Sequence, residues 1–125
     1  MTELSFEDRL ELVESGYEFL LAYAAQGRES DVDAGGGPKV RDILEDLQRG
    51  LAGIQDSIAT DEQALSQFLD VLEQDAGNAS AAINLVLAQP HISSQLVDNL
   101  NASIHVRAML TDLFLIDEAI KRRAS

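Results

Sequence analysis

Phe6, Leu10, Val13, Tyr17, Leu20 and Ala24 recur along the chain at alternating steps of four and three, and Val40, Leu44, Leu47, Leu51, Ile54 and Ile58 repeat the rhythm. Positions spaced in this way fall on one face of an α-helix, so each stretch predicts a helix with a continuous apolar seam. Two such helices joined by a glycine-rich turn bury their seams by packing against each other. An antiparallel hairpin is therefore the expected opening of the fold.

The polar residues between the seams mark where helices start and stop. Ser5 can cap a first helix over about 5–26, and Glu7 and Asp8 suit the positive end of its dipole. Gly16 inside that helix costs roughly 1 kcal/mol against alanine unless it admits a close neighbour, and Gly27 suits a left-handed helix end. Pro38 fits the first turn of a second helix reaching about Ile58. On that helix Arg41/Glu45 and Glu45/Arg49 read as solvent-side pairs, and Gly50 and Gly53 predict a kink or early fraying. Thr60-Asp61-Glu62-Gln63 is a capping-box pattern that opens a third helix over about 61–75. Gly77-Asn78 predicts its stop, and a short helix over 79–89 ends at Pro90.

From Ser93 or Ser94 onward the pattern predicts a short helix and then a long one. Asn101 is a candidate for recapping the chain between them, and one continuous helix is the alternative. Val106, Met109, Leu110, Leu113, Ile116 and Ile120 form the last seam, with Lys121-Arg122-Arg123 at the negative end of the dipole. No stretch alternates as a strand does. The expected fold is all-α: a single-domain bundle of four to six helices spanning 1–125, with a flexible acidic, glycine-rich connector at 29–38.

Composition narrows the functional classes. A chain of 125 residues buries about two-thirds of its unfolded surface, enough for a core without staples. Cysteine is absent, which removes disulfides, thiolate metal sites and cysteine nucleophiles. The net charge of −13 arises entirely within residues 1–90, because residues 91–125 carry as many bases as acids. Such acidity repels phosphate backbones and anionic lipid surfaces, so neither direct nucleic-acid binding nor membrane binding is expected. The acidic start lacks a basic, apolar leader, and no apolar run approaches the roughly 20 residues of a membrane span. A soluble, cytoplasmic protein is the expectation.

Candidate chemistry is thin. Asp31-Val32-Asp33-Ala34-Gly35-Gly36 matches the opening of an EF-hand calcium loop, but Pro38, Lys39 and Asp42 occupy its later positions and break the pattern. Gly35-Gly36-Gly37-Pro38-Lys39 lacks the preceding strand and the Lys-Ser/Thr pair of a phosphate loop. Glu7, Glu11, Glu14 and Glu18 form an acidic stripe beside the first seam. The Glu-x-x-His pairs of di-iron bundles are missing, since His91 and His105 are the only histidines and neither follows a glutamate by three. Tyr17 and Tyr23 read as core residues with the hydroxyl at the edge. No catalytic residue, metal ligand or cofactor is assigned, and an enzyme is the lesser expectation.

What remains is a non-enzymatic helical interaction protein, an accessory or regulatory subunit. Leu12, Phe19, Leu21 and Tyr23 widen the first seam, and Phe114 and Leu115 widen the last. Stripes broader than a bundle needs are either central or shared with another chain. The partner-facing candidates are therefore Glu7, Glu11, Glu14, Glu18, Phe114 and Leu115. A second copy of the chain, giving a homodimer, is the simplest partner. Two alternatives stand beside this reading. One is a small-ligand or cofactor-binding bundle using Gly16, Gly50 or Gly53 as gaps in the packing. The other is an acidic nucleic-acid mimic that inhibits a DNA- or RNA-binding protein.

Overall fold

Ser5 starts the first helix, α1 (Phe6–Ala24), through a reciprocal cap: the Asp8 N–H donates to Ser5 Oγ at 3.1 Å and the Ser5 N–H donates to Asp8 Oδ2 at 3.4 Å. The computed structural model describes residues 4–32 and 39–124. The buried ridge of α1 is Phe6, Arg9, Val13, Gly16, Leu20 and Tyr23, while Leu10, Tyr17 and Ala24 flank it half-buried. The ridge is thus rotated from the purely apolar seam, because a charged residue and a glycine belong to it. Gly16 is there for contact: a Cβ at that position would lie 2.7 Å from Leu47 Cγ, so only glycine lets the second helix approach this closely.

All six residues of the second seam are buried, although its helix, α2 (Val40–Leu51), ends earlier than the periodicity predicts. Gly53 adopts φ +67°, in the left-handed region, and a 3-10 turn follows over Ile54–Ser57. The redirected chain still delivers Ile54 and Ile58 to the core. Arg41 does not pair with Glu45; it turns to Asp31 and to the end of the third helix, where carbonyls need donors. Arg49 approaches Asp46 at 3.9 Å, and Glu45 stays exposed.

The third helix corrects the sequence reading most. α3 (Gln63–Leu87) runs without interruption through Gly77-Asn78, where a stop and a new helix were expected. Both residues sit on the exposed side, while the buried ridge of Leu72, Ala76, Ala79, Ile83 and Val86 continues across them. Burying that ridge outweighs the roughly 1 kcal/mol that one exposed glycine costs a helix. The expected capping box is also absent. Thr60 Oγ1 accepts from the Glu62 N–H at 3.0 Å, and Glu62 precedes the helix without a side-chain cap.

The last segment is two helices, α4 (Ser94–Ala102) and α5 (His105–Ala124), with Ser93 Oγ accepting the Leu96 N–H at 3.0 Å to start the first. Asn101 does not recap the chain; it stays inside α4 and donates from Nδ2 to the Leu20 carbonyl at 3.3 Å. The break falls at Ser103–Ile104, and Ile104 takes φ +66°.

Among the described residues the structure is all-helical, and four long helices surround the core. α1 and α2 are antiparallel, with Arg9 reaching Gly50 and Gly16 facing Leu47. α2 and α3 are antiparallel, with Arg41 reaching Leu87 and Gln48 bonding Ser80 and Asn84. α5 descends along α3 and closes the ring against α1. α4 lies across the end where α1 finishes and α5 begins, packing on α1, α3 and α5. Leu20, Leu44, Leu47, Leu72, Ile83, Met109, Leu113 and Ile116 fill the centre.

Candidate interaction face between α1 and α5

The acidic stripe of α1 survives in the fold: Glu7, Glu11, Glu14 and Glu18 are all exposed. Where α5 closes the ring, a groove of about 350 Å³ forms between the two helices. Glu7, Glu11, Glu14 and Ser15 line one wall, Asp117 and Lys121 the other, and Leu10 and Ile120 contribute apolar surface. Lys121 is held by Asp117 at 3.0 Å, and that carboxylate raises the lysine pKa above its ordinary value. The groove therefore offers several carboxylates and a single cation already engaged by its own helix.

Glu18 lies one turn past the groove, and the exposed Leu21 extends the same stripe. Phe114 is three residues before Asp117 and seven before Lys121, so helical periodicity places it on their face; it is 44% exposed. Leu115 points elsewhere. It lines a separate cleft of about 250 Å³ with Leu65, Phe68, Ile116 and Ala119, on the α3 side of α5. The candidate residues thus divide: Phe114 shares the side of the acidic stripe, and Leu115 does not.

Sequence reasoning missed the residues that tie the helices together. Arg9, only 7% exposed, donates from Nη1 to the carbonyls of Gly50 at 3.0 Å and Ala52 at 2.6 Å, and from Nε to Leu4 O at 3.3 Å. It places a cation where the C-terminus of α2 leaves carbonyls without intrahelical partners. Arg41 does the same for α3, donating to Leu87 O at 3.0 Å and Gln89 O at 2.7 Å while its Nε holds Asp31 Oδ2 at 2.7 Å. Asp31 Oδ1 accepts the Ile92 N–H at 2.7 Å. Burial pushes the Asp31 pKa up, but the Ile92 N–H and Arg41 outweigh it and hold the carboxyl below its ordinary value. The aspartate that would open a calcium loop is thus a structural clip; residues 33–38, with the remaining glycines of that motif, lie outside the described residues.

Tyr23 is buried whole rather than edge-on, and its hydroxyl donates to the Ile92 carbonyl at 2.6 Å. Ser94 Oγ donates to Tyr23 O and accepts the Arg28 N–H, joining α4 to the end of α1. His91 Nδ1 sits 3.0 Å from Ser30 Oγ, and His105 begins α5 on the surface. The glycines expected to leave gaps are mostly filled: Leu47 fills the space at Gly16, and Leu12 and Val13 crowd Gly50. Among the described residues no group of three or more His, Asp or Glu is placed to hold a metal ion, and no helix is long and apolar enough to cross a membrane.

One half-buried acid lies against another acid. Asp112 on α5 meets Asp75 on α3, and its Oδ2 is sealed from solvent with no hydrogen-bond donor directed at it. Burial, then the hydrogen bond and the charge of Asp75, push the Asp112 pKa from 3.8 up to about 7.

No protein-family model, curated protein or solved structure matches the chain. The geometry of the faces is what carries a functional reading.

Proposed function

We propose that the protein is a non-enzymatic interaction module that binds a basic amphipathic helical segment of another protein along the α1–α5 groove. The observation that supports this is one of charge and shape. Glu7, Glu11, Glu14 and Asp117 rim a groove whose apolar surface comes from Leu10 and Ile120. A helix with apolar residues on one stripe and Lys or Arg beside it would bury the first against Leu10 and Ile120 and set the second among the carboxylates. Phe114 and Leu21, exposed toward the far end of the same face, would lengthen the apolar contact. Opposite charge across such a surface accelerates encounter and fixes register more than it deepens affinity.

A designed Leu/Lys amphipathic peptide, titrated by fluorescence anisotropy at 150 mM salt, tests the reading. The triple variant E7Q/E11Q/E14Q should weaken binding about tenfold, while E45Q/D61N/D70N, which removes the same charge from other exposed positions, should leave it nearly unchanged. Equal weakening by both variants would show attraction to bulk charge and defeat the proposal. Sedimentation of the protein alone tests the competing occupant. Self-association abolished by Leu115→Glu but not by the triple variant would put a second copy on the α3 side and leave the groove without support.

A further inference from the structure

Residues 76–97 contain no Asp, Glu, Lys or Arg, although 25% of the chain is charged. Much of this run is the second half of α3, and it shapes the surface there. Val71, Gln74, Asn78, Ala81, Leu85 and Ala88 are all exposed and follow one another at steps of three and four. They form one stripe along the helix, on the side away from its buried ridge. Val71 is 44% exposed and Leu85 65%. The neighbouring helices present charge instead: the exposed residues of α2 are Asp42, Glu45 and Arg49, and α1 exposes its four glutamates.

Alternating steps of three and four are the spacing of a coiled-coil seam, and an asparagine in such a seam fixes how two helices pair at some cost in strength. Asn78 holds that place at the middle of the stripe. Beside it Gly77 borders open space, so no neighbour within the chain accounts for the glycine. A second helix lying close against it would.

Charge decides which helix that is. Two copies carrying −13 each repel one another wherever their acidic faces meet. The uncharged stripe lets them touch without bringing carboxylates together, whereas a basic partner would find no ion pair on it. Charge also sets the direction. Asp70, Glu73 and Asp75 crowd the first half of α3. A parallel pair would hold these acids level with their counterparts, while an antiparallel pair lays each acidic turn against the uncharged end of the other copy.

We infer that the chain forms a twofold, antiparallel dimer through this face of α3, with Val71 against Ala88, Gln74 against Leu85 and Asn78 against Ala81 of the second copy. The stripe is about 26 Å long at 1.5 Å per residue. So short a contact, built largely of small side chains, gives a reversible pair with a dissociation constant on the order of 10–100 μM. None of the six residues lines the α1–α5 groove, so the basic-peptide reading can fail without touching this one.

Sedimentation velocity of the full chain from about 5 to about 500 μM tests it. A dimer should appear across this range. Raising salt from about 50 to about 500 mM should tighten it roughly threefold, because screening relieves the repulsion between two acidic copies. Leu85→Glu and Asn78→Glu, both at exposed positions, should each weaken it about tenfold, whereas Leu115→Glu should not. The chain has no cysteine, so introduced ones report the pairing cleanly: oxidising a mixture of Val71→Cys and Ala88→Cys chains should give mainly the mixed disulfide. A monomer at every concentration, a dimer loosened by salt, or a dimer that survives both glutamate variants and is lost in Leu115→Glu would overturn the proposal. So would preferential linking of Val71→Cys to itself, which requires a parallel pair.

Discussion

Arg9 is buried and Asp112 half-buried at helix junctions, and the two junctions meet the charge in opposite ways. Arg9 is sealed between α1 and α2 but finds carbonyls at the end of α2 that need donors. Its burial satisfies atoms that would otherwise be orphaned. Asp112 is half-buried between α5 and α3 against another acid, its Oδ2 has no hydrogen-bond donor, and its pKa is pushed up to about 7. Arg9 is withdrawn further from water than Asp112, yet only Arg9 finds the opposite polarity around it. The α1–α2 junction therefore carries a charge whose partners are built in, whereas the α3–α5 junction carries an acid whose charge state follows the pH.

Breaking the α1–α2 junction should have the largest effect. Leu47→Ala should cost about 2–5 kcal/mol in urea unfolding, since Leu47 is fully buried against Gly16. Gly16→Ala alone should cost about 1–3 kcal/mol by overpacking. In the Leu47→Ala background the same change should cost little, because the atoms it would strike are gone. A double cycle that proves additive would show that the two residues are not in contact. Next comes Arg9→Met, expected to lose roughly 3 kcal/mol because the carbonyls of Gly50 and Ala52 lose their donor in a buried site.

The α3–α5 junction should respond to pH instead. The Asp112 pKa is raised in the folded state, so the folded protein keeps a proton that the unfolded chain has already shed. The stability this gives is complete below about pH 4, declines as pH rises to about 7, and is flat above. Asp112→Asn should be more stable than the natural protein at pH 8, on the order of 1–3 kcal/mol, and nearly equal to it at pH 4. Unfolding measured at both values checks the sign. Asp31 works in the reverse sense: its pKa lies below the ordinary value, so its contribution holds above that value and is lost in acid. The smallest effect belongs to Glu11→Gln, which should alter stability by under about 0.5 kcal/mol while weakening the basic peptide.

The parts of the fold legible in sequence were those whose signal lies along one helix. The α2 seam was complete, and the α1–α2 hairpin followed from it. The acidic stripe of Glu7, Glu11, Glu14 and Glu18 was visible from its spacing, and it is exposed as expected. Arg9 and Gly16 were illegible because an apolar pattern passes over a cation and a glycine that only a second helix explains. Gly77-Asn78 misled for the converse reason: local propensity predicted a stop, and a ridge buried by tertiary packing carried the helix through. Asp75 and Asp112 are unremarkable in their own helices, and only the fold brings them together. The division of Phe114 from Leu115 was readable in principle, since adjacent helical residues point about 100° apart.

The burial of Tyr23 also decides what light can report about this molecule. The chain has no tryptophan and two tyrosines, and of the two it is Tyr23 that is fully enclosed, its hydroxyl bonded to Ile92 and Arg28 lying 5.2 Å from its ring centre. A near-ultraviolet circular dichroism band, which needs an aromatic ring in a fixed asymmetric setting, will therefore be dominated by the end where α1 meets α4. α5 carries no tyrosine, and its one phenylalanine is partly in solvent. A local change confined to α5 would leave most of that band as it is, and a spectroscopist watching it alone would record an unaltered protein.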